Sequence, residues 1–269
     1  MGLDIIIPTK GKTNYLFKCL QSIIDHTECD YQIHIADTGS SKEELQEISR
    51  FIKKKFSLYE NANLYSYNYY NFAKINNSVV TKHCKEDTVL FCNNDIELQG
   101  PCIDQLWEMA RRANVGTVGC RLLFEDGTIQ HAGQIAFTHR PEEWPFDEDK
   151  LEVTHRGLRQ LTTYAPVEEV MGNTAALMCV DREKFDKVGG FNNKYVECFE
   201  DVELNMNILL AGYINIYIDR VHAVHAESVT RTKGAAAMDL LGQDYLNNLY
   251  PFWNKLSASQ QRTITNFTK

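Results

Sequence analysis

The amino-acid sequence predicts an α/β fold with a Rossmann-like, mostly parallel sheet flanked by helices. Over the first half of the chain, short apolar runs typical of buried strands alternate with segments whose apolar residues recur every three or four positions, as on one helix face. Residues 89–92 are all apolar, and Asn93, Asn94 and Asp95 follow abruptly, as expected where an interior parallel strand ends. This alternation predicts parallel pairing with right-handed crossovers.

The first half of the chain contains four predicted strands and four predicted helices. The strands are residues 3–7, which Pro8 ends, then residues 33–36, 62–67 and 89–92. Each strand is followed by a helix predicted from one apolar stripe, and these stripes lie within residues 16–24, 45–56, 71–80 and 103–110. Trp107 fits the last stripe, so we expect it in the core.

Beyond Gly119 the pattern is less regular. Residues 138–160 are charged and include Trp144 between two prolines, so the sequence predicts a long loop, which in a compact domain is usually functional or mobile. We interpret this loop as a flap beside the site. The later predicted elements are strands within residues 170–180, 214–218 and 221–225, a turn at 189–191, a helix with its apolar residues at 202–210, and an amphipathic helix at 238–253.

Composition limits the classes of partner. The chain has 28 Lys and Arg against 36 Asp and Glu, and its net charge of −8 argues against binding to nucleic acid or anionic lipid. The eight cysteines are scattered without a C-x-x-C pair. We therefore expect them to be small core residues of a protein in a reducing compartment. No run approaches the roughly 18 apolar residues of a membrane span, and the sequence opens without a basic and apolar leader. The expected location is therefore cytoplasmic.

The polar triplet after residues 89–92 indicates a ligand site. Ligands of open α/β sheets bind at the carboxyl ends of the strands. The Asp95 carboxylate, flanked by the amides of Asn93 and Asn94, can hold a divalent cation, which can in turn hold a diphosphate. That chemistry suits a sugar-nucleotide site. The alternative is an Asn-Asp turn at a strand end.

A series of segments makes a family resemblance specific. In chain order they are IIIPTKGK, IADTGSS, NFAKINN, FCNNDIE, MGNTAALMCVDREKFDKVGGFNNKY, FEDVELNMNILLAGY and HAVHAESVTR. Together they span about residues 3–231 and resemble the family 2 glycosyltransferases of the GT-A fold. The resemblance implies a GT-A domain over residues 1–233, with a nucleotide-sugar half (1–118) and an acceptor and catalytic half (119–233). Residues 234–269 then form a helical tail.

The resemblance assigns one set of residues to the nucleotide donor. This set is Pro8, Thr9, Asp37, Lys74, Asn77, Asn93, Asn94 and Arg231. An acceptor-only carboxylate at Asp37 suits the imide N–H of uracil or a ribose hydroxyl pair, and Lys74 offers charge for phosphate. The alternatives are that Pro8 only ends its strand, which we favour, that Asp37 only caps the following helix, and that Lys74 is an ordinary solvated residue.

The resemblance implies a metal cofactor, Mn²⁺ or Mg²⁺, with Asp95 as a direct ligand. Because asparagines stand where further acids are common in the family, the site carries less negative charge, and we expect weak metal affinity without nucleotide. A late histidine is a metal ligand in some members of the family. His225 aligns best with it, and His222 is the rival. Arg231 and Lys233 follow, where a cation can close on the diphosphate.

The acidic pair Glu200-Asp201 resembles the catalytic pair of the family, in which the aspartate is the general base; this assigns the base to Asp201. A hydroxyl nucleophile needs such a carboxylate to take its proton. The alternative is that Asp201 is the N-cap of the helix that starts there. Gly172 and Asn173 resemble the segment under the sugar and acceptor, and Trp144 is the candidate stacking platform for an acceptor sugar.

The sequence therefore predicts a metal-dependent, inverting glycosyltransferase that moves a sugar from a nucleotide donor, expected to be UDP-linked, to a hydroxyl of a glycan or glycolipid. Two alternatives stay open. A sugar nucleotidyltransferase would need a glycine-rich basic loop after the first strand, where PTKGKTN has one Gly and two Lys. A catalytically degenerate glycan-binding module is the other. The apolar residues of the tail are expected to pack on their own domain; contact with a second copy or the inner face of a membrane is the remaining possibility.

Overall fold

The computed structural model describes residues 2–56, 61–143, 145–146, 149–196, 198–226 and 235–267. Its strands are β1 (Leu3–Thr9), β2 (Tyr31–Asp37), β3 (Ala62–Ser66), β4 (Thr88–Cys92), β5 (Ile96–Leu98), β6 (Val115–Leu123), β7 (Ile129–His131), β8 (Gln134–His139), β9 (Lys150–His155), β10 (Val167–Val170), β11 (Leu177–Asp181) and β12 (Ile214–His225). Its helices are α1 (Thr13–His26), α2 (Lys42–Phe56), α3 (Phe72–His83), α4 (Cys102–Ala110), α5 (Arg182–Lys187), α6 (Glu200–Leu210), α7 (Ala235–Asp244), α8 (Tyr250–Asn254) and α9 (Ala258–Thr265).

One mixed sheet forms the centre, in the order β10-β12-β6-β11-β4-β1-β2-β3. Strand β1 lies between β2 and β4 and is parallel to both, and β3 is parallel to β2. Strand β11 is antiparallel to both of its neighbours, β4 and β6. The predicted mostly parallel sheet with flanking helices is therefore confirmed.

Both faces of this sheet are buried. In β1, Ile5 and Ile7 belong to the apolar cluster that includes α1 and α4, whereas Ile6 belongs to the cluster of α3, α5 and α6 on the other face. Successive side chains of a strand point to opposite faces. A strand buried on both sides therefore reads as a continuous apolar run, which is why residues 3–7 and 89–92 were predictable.

The prediction of a long loop over residues 138–160 was wrong for residues 138–139 and 150–155, which lie in strands. Strands β8 and β9 form a separate antiparallel pair, with Ala136 opposite Val153. Leu151 is fully buried beside the tail and α6, while its neighbours in β9 are polar. A half-buried hairpin of this kind shows alternation rather than an apolar run. The two strands predicted at 214–218 and 221–225 are one strand, β12, whose register against β6 shifts between Ile218 and His222.

The described part of the tail packs on the domain. Residues 235–254 form α7, a π-helical turn (Tyr245–Leu249) and α8, where one amphipathic helix was predicted. Leu249, Trp253 and Ile264 bury against Val202 and Met206 of α6. Among the described residues, no helix is both long enough and apolar enough to cross a membrane.

Lys184 supports the corner between α4 and β6. Its Nζ donates to the carbonyl oxygens of Arg112 (2.7 Å) and Val115 (2.6 Å), and burial lowers its pKa. We expect Lys184→Met to lower the free energy of unfolding by about 2–3 kcal/mol, because the carbonyls lose a charged donor and stay buried.

Urea unfolding measures this change, and Lys187→Met is the matched control on the same helix. The Lys187 ammonium is exposed and contacts the Tyr213 hydroxyl at 3.0 Å, so its removal should change stability by less than about 0.5 kcal/mol. Equal effects of the two substitutions would contradict the supporting role of Lys184.

Candidate active site

The carboxyl ends of β1, β2 and β4 bring several predicted donor residues to one edge. Thr9 is in register with Asp37, and the triplet 93–95 follows β4 directly. Asn94 Nδ2 donates to Thr9 Oγ1 at 2.8 Å, and both side chains are buried. Pro8 is the penultimate residue of β1, which continues to Thr9. Pro8 therefore does not end the strand, contrary to the alternative that we favoured for it.

Strand β5 brings His225 to Asp95. The short strand pairs antiparallel with the end of β12, with His225 opposite Ile96. His225 Nε2 consequently lies 3.2 Å from Asp95 Oδ1 and 3.2 Å from the amide nitrogen of Asn93. His222 is in register with Arg121 of β6. Of the two candidate histidines, the structure places His225 at the Asp95 carboxylate.

The hydrogen bonds of His225 fix the orientation of its ring. Gln130 Nε2 lies 3.4 Å from the His225 carbonyl oxygen, and Gln130 Oε1 lies 2.5 Å from His225 Nδ1. Nε2 is therefore the ring nitrogen that faces Asp95 and that could ligate a metal. Gln130 and His225 are both buried, with 6 % and 8 % of their surface exposed.

The donor set at Asp95 fits a divalent cation. His225 Nε2 and the Asp95 carboxylate lie 3.2 Å apart. Two neighbouring ligands of an octahedral ion with bonds near 2.1 Å lie about 3.0 Å apart. The carboxylate of Asp95 and the oxygens of a diphosphate are ligands that Mn²⁺ and Mg²⁺ both prefer. The residues present therefore suit the expected metal.

The Asp201 carboxylate is bonded to a backbone N–H just before β11 and does not cap its own helix. Helix α6 begins at Glu200, and the N-cap position is Phe199, which has φ of 73° and makes no side-chain cap. Asp201 Oδ2 accepts the N–H of Ala175 at 3.0 Å. The N-cap alternative for Asp201 was therefore wrong, and this carboxylate is fixed relative to the segment that leads into β11.

A buried amide network that includes Asn173 lies beneath Asp201. Asn173 is fully buried, and its amide donates to the carbonyl oxygen of Ile216 at 3.1 Å. A Cβ on Gly172 would lie 2.5 Å from Asn205 Cγ. The close packing at Gly172 is with protein groups, and the position of this segment under the sugar and acceptor stays a prediction.

Asn205 is a residue that sequence reasoning missed. It is fully buried, and its Nδ2 donates at 2.7 Å to the backbone carbonyl oxygens of Asn173 and Asp201. Asn215, also fully buried, donates to the Asn205 carbonyl oxygen at 3.1 Å. The available signal was an asparagine inside an apolar helix or strand pattern. Such a residue must find partners in the core.

The side chain of Asn77 supports a turn, and its contact with the nucleotide stays a prediction. Its Nδ2 donates to the Phe191 carbonyl oxygen at 2.7 Å, and its Oδ1 accepts the Phe191 N–H at 3.0 Å. Both ends of the amide therefore hold the turn after α5. Lys74 is exposed on the first turn of α3, where a phosphate can reach it.

Asp37 organises its own turn and does not cap α2. Its carboxylate accepts the backbone N–H groups of Gly39 (3.2 Å) and Ser40 (3.1 Å). The start of α2 is satisfied by Ser41 and Glu44, which bond reciprocally at 2.7 and 3.2 Å. The helix-capping alternative for Asp37 was wrong.

Of the remaining predicted residues, Trp107 is half-buried and packs against the main core cluster, as expected. Trp144, Arg231 and Lys233 lie outside the described residues.

A second group of potential metal ligands lies away from Asp95. Asp4, His34 and Cys84 are buried and mutually within 4.8 Å. Asp4 is in register with Val89, near the start of β4, whereas Asp95 follows the end of β4, so the two groups lie at opposite ends of this strand. Asp4 already contacts His34 Nε2 at 2.6 Å and accepts the N–H groups of Lys85 and Glu86, both at 2.7 Å. These bonds make the group a satisfied core network.

His131 makes stability dependent on pH. It is 1 % exposed, its Nε2 accepts the Gly133 N–H at 3.2 Å, and its Nδ1 lies 2.8 Å from Nδ1 of His155. Burial first, then the charges of His155, Arg156 and His225, hold the pKa of His131 well below its usual range. The unfolded chain binds this proton near pH 6.5 and the folded chain does not. The free energy of unfolding should therefore fall as pH drops below about 6.5, by at most about 1.4 kcal/mol per pH unit.

Urea unfolding at pH 7.5 and 5.5 measures this slope. His131→Asn should reduce the slope, whereas His26→Asn, at an exposed position of α1, should leave it unchanged. A slope that is identical in all three proteins would show that His131 protonates equally in the folded and unfolded chains.

Comparison with known sequences supports the resemblance. The family model described as Glycosyl transferase family 2 matches residues 4–188. The chain is 27 % identical over 245 residues to the O-antigen biosynthesis protein RfbC of Myxococcus xanthus, covering 87 % of this chain and 18 % of that protein. It is 26 % identical over 156 residues to an N-acetylglucosaminyl-diphospho-decaprenol L-rhamnosyltransferase of Mycobacterium tuberculosis, covering 52 % of this chain and 47 % of that protein. The chain thus spans less than half the length of either relative.

Solved structures show the same fold. GalNAc-T7 with UDP, GalNAc and Mn²⁺ superposes with a TM-score of 0.66 at 12 % identity, covering 99 % of this chain and 54 % of that chain. The mannosyltransferase PcManGT from Pyrobaculum calidifontis, in complex with GDP-Man and Mn²⁺, gives 0.58 at 12 % identity, covering 98 % and 73 %. With the family match over most of its length, the chain belongs to the family 2 glycosyltransferases and has the GT-A fold.

Proposed function

We propose that the chain is a metal-dependent, inverting glycosyltransferase that uses a nucleotide-sugar donor, UDP-linked in the first instance, and a hydroxyl of a glycan or glycolipid. One observation carries the proposal. His225 Nε2 and the Asp95 carboxylate lie 3.2 Å apart at the carboxyl edge of the sheet. A cation held there could bind the diphosphate of the donor.

The comparisons support the donor and acceptor classes. GalNAc-T7 was crystallised with UDP and Mn²⁺, and PcManGT with GDP-Man and Mn²⁺. One relative is a rhamnosyltransferase acting on N-acetylglucosaminyl-diphospho-decaprenol, and another belongs to O-antigen biosynthesis. A polyprenyl-linked or polysaccharide acceptor is consistent with both names.

The proposed reaction assigns the proton transfer to Asp201. Because Oδ2 is bonded to the Ala175 N–H, Oδ1 is the oxygen that takes the proton of the acceptor hydroxyl. The acceptor oxygen then bonds to the anomeric carbon from the face opposite the nucleoside diphosphate, whose bond to that carbon breaks with inversion. A bound Mn²⁺ or Mg²⁺ would stabilise the charge on the departing diphosphate. Asp95 and His225 would hold it.

A melting-temperature panel tests the proposal without an acceptor. UDP-, GDP- and dTDP-sugars are each compared with Mn²⁺ and with chelator. A donor at about a hundred times its dissociation constant adds about 2.7 kcal/mol to the free energy of unfolding. We expect stabilisation by one nucleotide class that disappears with chelator. No shift with any donor would favour the degenerate-module alternative, and pyrophosphate release from a nucleoside triphosphate and a sugar phosphate would establish the nucleotidyltransferase.

A further inference from the structure

The end of helix α7 holds the backbone that leads into α6. Asp244 is 3 % exposed. Both of its carboxylate oxygens lie 3.0 Å from the N–H of Val196, and Oδ2 also accepts the N–H of Cys198 at 3.1 Å. Val196 and Cys198 stand just before Glu200 and Asp201 in the chain. A residue of the C-terminal tail is therefore bonded directly to the approach to the catalytic acids.

Phe199 shows why that approach needs support. It has φ of 73°, in the left-handed region that a bulky residue adopts only where its surroundings impose it. Its ring lies 6.0 Å from the ring of Tyr245, the residue after Asp244. Tyr245 is in turn fixed to the hairpin, because its hydroxyl donates to the Leu151 carbonyl oxygen at 2.7 Å.

The other end of this approach is fixed by the domain. The Tyr195 hydroxyl donates to Glu203 Oε2 at 2.6 Å, and its carbonyl oxygen accepts from Asn71 Nδ2 at 2.7 Å. Tyr195 is thus anchored by α3 and α6, while the next described residues are anchored by Asp244 and Tyr245. Between them, the two anchors determine where α6 begins.

We propose that Asp244 is a positioning residue for sugar transfer. By accepting the N–H groups of Val196 and Cys198 it maintains the left-handed Phe199 and the first turn of α6, and so directs Asp201 Oδ1 at the acceptor hydroxyl. This inference rests on the proposed function, with Asp201 as the base. It makes the tail a part of the catalytic apparatus, although the family match ends at residue 188.

A double-mutant cycle between Asp244 and Asp201 tests the inference. The readout is nucleoside diphosphate released, in the presence of Mn²⁺, from the nucleotide sugar that gives the largest melting shift. We expect Asp244→Ala to lower the maximal rate about 100-fold, the effect of a misplaced reacting group, with the donor dissociation constant unchanged. In the Asp201→Asn background, Asp244→Ala should have less than about a threefold further effect, because the group that it positions is gone. Asp244→Asn, which keeps an acceptor oxygen, should restore at least part of the rate.

Lys184→Met is the control for a general loss of stability and should retain the wild-type rate. Two results would overturn the inference: an unchanged rate in Asp244→Ala, or an equal fall in both backgrounds, which would indicate a general structural role. Failure of the proposed function is distinguishable, since it would appear as a wild-type protein that binds and turns over none of the donors, or as an Asp201→Asn variant with full activity.

Discussion

Asp201→Asn is expected to lower the rate of sugar transfer about 10³-fold while leaving donor binding intact, because the acceptor hydroxyl loses its general base. The substitution is nearly isosteric. The asparagine Oδ1 can still accept the Ala175 N–H that Oδ2 accepts at 3.0 Å. Since the N-cap of α6 is Phe199, the helix loses only a favourable charge in its first turn, about 0.3–1 kcal/mol.

Three measurements on the Asp201→Asn protein separate catalysis from folding: the transfer rate, the donor-induced melting shift and the urea midpoint. The control is Asp25→Asn, which removes an exposed acid of α1 and should leave all three unchanged. A variant at Asp201 that transfers sugar at the wild-type rate would exclude the base role. A variant that no longer responds to donor would assign Asp201 to binding.

Asp95→Asn is expected to abolish the Mn²⁺-dependent part of the donor-induced stabilisation and to reduce transfer by at least about 10³-fold. The negatively charged candidate ligand in the described part of the site would be replaced by a neutral amide beside the His225 imidazole, and a divalent ion binds such a pair weakly. In the absence of metal and donor, the amide can still hydrogen-bond to His225 Nε2, which lies 3.2 Å from the carboxylate. The variant should therefore keep about the stability of the wild type.

The melting panel with Mn²⁺ and with chelator measures this effect, and the two histidines provide a matched pair. His225→Asn should lose the metal-dependent shift. His222→Asn, three positions earlier in β12 and in register with Arg121, should retain it. If only His222→Asn lost the shift, the metal ligand would be His222 and not His225. A full shift in Asp95→Asn would show that the metal does not bind at Asp95.

The elements that could be predicted from the sequence are those whose environment is uniform along the chain. Strands β1 and β4 are buried on both faces, so their burial shows as an apolar run. The β8–β9 hairpin buries Leu151 and leaves Lys150, Glu152 and Thr154 half-buried, and the charged composition of that segment concealed the alternation. Asp95 was predictable as a candidate site residue because it follows a strand end, where the sheet topology gathers polar groups.

The structural partners of several asparagines could not be predicted, for a different reason. Asn77 and Asn173 stand in segments that resemble the family motifs, yet their amides bond to Phe191 and to Ile216 respectively. Nothing in a linear sequence distinguishes an asparagine that faces a ligand from one that satisfies a distant carbonyl group. The same limit hid Asn205 and Asp244, whose partners lie in segments far along the chain.

The pairing of β5 with the end of β12 has a consequence for how the protein can be divided. Asp95 and His225 are 130 positions apart in the chain, and three register pairs between the two strands bring them together. A fragment of residues 1–118 would keep the carboxyl ends of β1, β2 and β4. Of the two proposed metal ligands, it would contain Asp95 but not His225. Complementation by the remaining fragment should restore Mn²⁺ binding only when β12 docks, so cation binding would report the joining of the two halves during assembly.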